Sequence, residues 1–110
     1  MASAVSTLPA SKGTSLAVFN NRLYVAFIAN DPSNRILVCS SADGTTWTDN
    51  TFINQYSNFS PSLTVFNNKL YVAFIATNNG GILVCSSADG TTWTANTAIG
   101  QWTNYAPSLA

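Results

Sequence analysis

The chain has no histidine, and its four acidic residues are all aspartate (Asp31, Asp43, Asp49 and Asp89), so glutamate is missing as well. The lack of histidine excludes Ser-His-Asp triads, most metal sites and the commonest general acid–base group. Hydrolysis of a glycoside needs two carboxylates flanking one bond. Asp43 and Asp89 lie in turn sequences, and Asp31 and Asp49 each occur in one half of the chain only. The expectation is a protein that is not an enzyme and uses neither metal nor cofactor.

Charge is scarce too. Charged residues make up 7% of the chain and the formal net charge is zero, where about a quarter charged is ordinary. Nucleic acid and anionic membranes both demand a basic field, which is absent. Solubility then rests on Asn, Ser and Thr, a surface suited to neutral polar ligands. No apolar run approaches a membrane span, so no membrane insertion is expected. Residues 1–14 carry neither a basic n-region nor an apolar h-region. They read as an N-terminal arm of a cytoplasmic or non-classically released protein. Cys39 and Cys85, the only cysteines, sit in apolar runs at matching positions and read as buried thiols acting as small hydrophobes.

What is present is repetition. Ser41-Ala42-Asp43-Gly44-Thr45-Thr46-Trp47 returns letter for letter as Ser87-Ala88-Asp89-Gly90-Thr91-Thr92-Trp93. Asp-Gly supplies a side-chain acceptor and a free φ, so each heptad reads as a tight hairpin. Ile36 to Thr48 equals Ile82 to Thr94, and Leu16 to Ala29 differs from Leu63 to Ala76 only at Ala17/Thr64 and Arg22/Lys69. Two copies of a unit of about 46 residues make a repeat protein.

Each unit spells four short strands. In the first copy these are Ser15 to Phe19, Leu23 to Ala29, Ile36 to Ser41 and roughly Thr46 to Thr51. Asn20-Asn21 reads as a tight turn, because Asn tolerates positive φ. The second and third strands are apolar on both faces, so both faces must be covered. Four antiparallel strands with two apolar faces is the pattern of a β-propeller blade. The fold class is therefore all-β, a propeller of two four-stranded antiparallel blades. Residues 15–60 form blade 1 with its linker and residues 61–106 form blade 2 with its linker. Residues 107–110 begin a third repeat, a strand overlap or exchange at a subunit seam.

Two blades cannot close a ring. Several hundred Å² of bare apolar sheet would cost on the order of 10 kcal/mol. A homo-oligomer is expected, three chains giving six blades, with four giving eight as the alternative.

The heptad resembles the Asp-box of sialidase-like β-propellers, Ser-x-Asp-x-Gly-x-Thr-Trp. Ser41, Asp43, Gly44, Thr46 and Trp47 match by type, as do Ser87, Asp89, Gly90, Thr92 and Trp93. The spacing departs, with one residue fewer between Asp and Gly. A sialidase-like site also uses several arginines, and only Arg22 and Arg35 are present. The resemblance implies a structural box whose Asp satisfies turn amides and whose Trp packs the hairpin. In size and two-blade length the chain is similar to the oligomerising propeller lectins.

Binding residues are expected at the opposite end of each blade. Gln55-Tyr56-Ser57-Asn58-Phe59 is matched in type by Gln101-Trp102-Thr103-Asn104-Tyr105. Read as linkers (the first from Ile53 to Pro61), these stretches emerge beside the loop between second and third strands. Asn30, Asp31, Asn34 and Arg35 then converge with one linker, and Asn78 and Asn79 with the other. Sugars are held by an aromatic plate under their C–H face and by amides at the rim. Tyr56 or Trp102 supplies the plate, and Gln55, Asn58, Gln101 and Asn104 supply the amides. The competing reading is that these aromatics, Phe59 and Tyr105 included, plug the gap between blades. The functional expectation is a multivalent lectin for neutral glycans with pockets between blades. The alternative is a structural or protein-interaction propeller, or a fragment or designed reconstruction of a longer repeat protein, without ligand.

Overall fold

In the computed structural model the structure is described for residues 13–30, 32–77 and 79–102. Eight strands follow in order: β1 (Ser15–Phe19), β2 (Arg22–Ile28), β3 (Arg35–Ser41), β4 (Thr51–Tyr56), β5 (Ser62–Phe66), β6 (Lys69–Ile75), β7 (Gly81–Ser87) and β8 (Thr97–Trp102). They pair into two antiparallel four-stranded sheets, β1-β2-β3-β4 and β5-β6-β7-β8. These are the two blades read from the sequence.

The hairpins form where the asparagines allow them. Asn20 and Asn21 take φ of 52° and 59°, and Asn67 and Asn68 repeat those values. A left-handed pair gives the turn twist that matches the flanking strands. Leu16 then faces Val25 and Leu63 faces Val72.

The fourth strand corrects the reading made from sequence. It was expected from Thr46 to Thr51, ahead of a linker from Ile53. It runs instead over Thr51–Tyr56, with Thr97–Trp102 as its twin. The heptad is therefore a broad turn rather than a tight hairpin. Residues 42–50, between β3 and β4, are held by side chains and by one backbone bond, Thr48 N–H to the Ser40 carbonyl at 2.9 Å. The Ser40 N–H donates back to Thr48 Oγ1 at 3.0 Å. Ladder pairing resumes only at Thr51, opposite Val38. Gln55, Tyr56, Gln101 and Trp102 consequently belong to the outer strands.

Blade 1 stacks on blade 2, and the two contacting faces differ. Blade 1 contributes Tyr24, Ala26, Ile28, Ile36 and Val38. Blade 2 contributes Leu70, Val72, Phe74 and Cys85, with Leu83 and Trp93 against them. In repeat terms, the Tyr-Ala-Ile face of one blade meets the Leu-Val-Phe-Cys face of the next. On the far side of blade 1, Val25, Phe27, Ala29, Leu37 and Cys39 form a second buried cluster, with Trp47 packed on it. Both cysteines are free and buried. Burial pushes their thiols up to about 11 for Cys39 and about 12 for Cys85.

Candidate functional site

Each heptad turn is built around one carboxylate. Asp43 Oδ1 accepts from the N–H of Thr45 (2.9 Å), the N–H of Thr46 (2.8 Å) and the Ser41 hydroxyl (3.0 Å). Ser41 Oγ in turn accepts from the Gly44 N–H at 2.7 Å. Asp89 repeats the arrangement with Thr91, Thr92 and Ser87. These amides hold both carboxyls well below the ordinary carboxylate range. A depressed folded value means stabilisation that is complete above the ordinary range and lost progressively as pH falls from there through the folded value. The thermal midpoint is expected to stay level from neutral to about pH 5 and to drop below about pH 4. In the Asp43→Asn, Asp89→Asn double variant it should start lower and fall less over that window.

A shallow hollow of about 360 Å³ flanks each turn. One is bordered by Arg22, Asp43 and Trp47, the other by Lys69, Asp89 and Trp93. The sequence did not single out these basic neighbours. Their polar groups are largely engaged: the aspartates bind turn amides, and Arg22 Nε donates to Ser40 Oγ at 3.1 Å. A cavity of about 220 Å³ also lies between the blades at this end, bordered by Tyr24, Thr48, Asp49, Thr51, Gly90 and Thr91.

The other end of each blade holds the loop between its second and third strands and the end of its outer strand. In blade 1, Ser57 N–H donates to the Asn34 carbonyl (3.0 Å) and Asn34 Nδ2 to Asn58 Oδ1 (2.6 Å). The loop between β2 and β3 thus meets the end of β4. Arg35 pairs with Tyr56 across the ladder, and its guanidinium stands 5.9 Å over the Phe52 ring. Phe52 and Tyr56 meet edge to face at 5.4 Å, a favoured aromatic geometry. Tyr56 and Phe59 are exposed. Asn30 is exposed at the start of the same loop.

Blade 2 solves the position differently. Gly81 stands at the repeat position of Arg35, and Ala98 at that of Phe52. Gly81 pairs with Trp102. A Cβ at Gly81 would lie 3.0 Å from Asn79 Oδ1 and 3.4 Å from Trp102 Nε1. The missing side chain lets the indole lie close over the backbone, beside the Asn79 carboxamide that accepts the Gly81 N–H at 2.8 Å. Trp102 remains 65% exposed. Asp31, Asn78, Asn104 and Tyr105 lie outside the described residues.

Gln55 was expected at the rim of a pocket. It also bridges the blades, its Oε1 accepting from Asn96 Nδ2 at 2.9 Å. Its twin Gln101 is exposed. Among the described residues no group of three or more Cys or Asp side chains could hold a metal ion.

Antiparallel four-stranded units, stacked face on face with the heptad between third and fourth strands, define a β-propeller. The DUF6242 beta propeller domain matches residues 1–105, and the chain belongs to that family. Comparison with curated proteins gives no match. Among solved structures, native arabinanase Arb43A of Bacillus subtilis is similar, with a TM-score of 0.53 and 13% identity. The likeness covers 83% of this chain and 38% of that one. At that identity it speaks for the fold, and this chain spans well under half of the arabinanase's length.

Proposed function

We propose that this propeller binds neutral glycans at the end of each blade where the outer strand finishes in an exposed aromatic. The observation that carries the reading is the open indole of Trp102, set over Gly81 with the Asn79 carboxamide at its edge. A flat aromatic beside fixed amides is the composition of a sugar subsite. Tyr56, with the Asn34–Asn58 amide pair nearby, offers a second and weaker plate, because Phe52 and Arg35 crowd one side of it. Several such sites on one assembly would act by avidity, each modest alone. The likeness to an arabinanase, named for a glycan, is compatible with this reading and supplies no residues to it. The carboxylates at hand are poor catalysts, since Asp43 and Asp89 are tied into turns.

A glycan array tests the proposal. Trp102→Ala is expected to lower affinity at least tenfold, equivalent to about 1.4 kcal/mol, with a smaller loss for Tyr56→Ala and partial retention in Trp102→Phe. Wild-type protein that is folded and binds no sugar sinks the proposal. That outcome favours the second reading, a scaffold or protein-interaction propeller, which the near-identity of the two blades supports.

A further inference from the structure

We propose that copies of this chain associate head to tail, the outer face of blade 2 docking on the outer face of blade 1 of the next copy. The template is internal. Within the chain, the Tyr24-Ala26-Ile28 face of blade 1 packs on the Leu70-Val72-Phe74 face of blade 2. Leu23–Ile28 and Leu70–Ile75 are the same hexapeptide, and Ile36–Ser41 equals Ile82–Ser87. The outer face of blade 2 is therefore a second copy of the first of these faces, and the outer face of blade 1 a second copy of the other. The described residues carry one of each outside the internal contact.

The leftover faces are unfinished at the positions where the internal contact is finished. Gly90 lies against the Tyr24 ring, where a Cβ would be 2.7 Å from Tyr24 Cζ. Its twin Gly44 has nothing within 4 Å, while the twin of Tyr24, Tyr71, is only half-buried. Phe19 packs on Tyr24 and is 4% exposed, but Phe66, packed on Tyr71 in the same way, is 62% exposed. Asn96 bonds Gln55 across the internal contact. The twin of Asn96 is Asn50, and the twin of Gln55 is the exposed Gln101.

The cavity between the blades makes the same point. Gly90 and Thr91 wall it on the blade 2 side. Blade 2 repeats the cavity with Tyr71, Val84, Ser86, Thr94, Thr97 and Ile99, and has no such wall. Gly44 and Thr45 of the next copy occupy that place in the docked arrangement. Leu16, Val18 and Phe52 are exposed around the receiving face. Its centre, including Val25 and Phe27, is already buried in the single chain, so docking engages this exposed rim. By the internal template the next copy's Asn50 Nδ2 donates to Gln101 Oε1, so the docked state gains a hydrogen bond as well as apolar burial. Because the two faces differ, the contact is heterologous, the kind that closes a ring when the rotation per copy allows it.

Native mass spectrometry and light scattering test this. Wild-type protein is expected to be a closed oligomer, three copies being the first choice. Gly44→Asn keeps a residue type that accepts the left-handed backbone but fills the space reserved for Tyr71, and should be monomeric with wild-type circular dichroism. Phe66→Asp should be monomeric through damage to the other face. Each variant retains the face the other lacks, so an equimolar mixture is expected to give a heterodimer. A monomeric wild type overturns the proposal. So do variants that keep the wild-type mass, or a mixture that never dimerises. None of these readouts involves sugar, so failure here is distinct from failure of the glycan reading.

Discussion

Phe74→Ala is expected to destabilise the fold by about 3–5 kcal/mol, a large share of the roughly 5–15 kcal/mol available to a domain. Phe74 is 1% exposed and stands where the two sheets meet, among Tyr24, Ile28, Val72 and Cys85. Removing the ring deletes apolar transfer energy and leaves a cavity that two stiff sheets cannot collapse around. Chemical denaturation measures the loss. Phe66→Ala is the control: the side chain is 62% exposed, so in dilute monomer the cost should be a few tenths of a kcal/mol. A Phe74→Ala loss below about 1 kcal/mol would show that the sheets are not bound by a shared core.

Gly90→Ala should cost about 3 kcal/mol, against about 1 kcal/mol for Gly44→Ala. Both glycines have positive φ, 84° at Gly44 and 85° at Gly90, so the backbone strain is the same in the two variants. The difference is the neighbour. A Cβ at Gly90 overlaps the Tyr24 hydroxyl and its ring, whereas a Cβ at Gly44 enters open space. Tyr24 is held by Phe19 and the inter-blade core and cannot swing aside cheaply. Paired denaturation curves isolate the contact, because identical sequence surrounds the two sites. Equal losses in dilute monomer would remove the Gly90–Tyr24 contact from the account.

Much of this was readable in the chain. The Asn-Asn turns announced their hairpins because asparagine is among the few residues that accept left-handed φ without strain. The apolar runs on both faces of β2 and β3 announced stacking. The start of the fourth strand was not readable. Thr-Thr-Trp-Thr has strand propensity, yet Asp43 captures the Thr46 N–H and Thr48 Oγ1 accepts the Ser40 N–H, holding a turn through side-chain bonds, and pattern reading does not see such competition. Nor was the direction of stacking legible, since both faces are apolar and only the register says which residues share a side. At the candidate site, the loop–strand convergence followed from topology. The opening of Trp102 did not. It depends on Gly81 and Ala98 standing where Arg35 and Phe52 stand in blade 1, a comparison that needs the pairing. The bond of Gln55 was not legible either, because its partner, Asn96, lies in the other blade.

The duplicated hairpins also set a problem for the folding chain. β2 and β6 share the hexapeptide Leu-Tyr-Val-Ala-Phe-Ile, so β1 recognises the two by side chains equally well. Nothing in the pairing surface tells it which strand is its own. The distinction is left to chain connectivity. Closing the Asn20-Asn21 turn orders two residues, while pairing with β6 must close a loop of about fifty, a difference of roughly 2–3 kcal/mol in closure entropy. That margin is enough to favour the native hairpin in dilute solution. At high protein concentration it weakens, because a strand from a neighbouring molecule carries no tether cost beyond its encounter, and exchanged hairpins become the characteristic misfolding route of the chain.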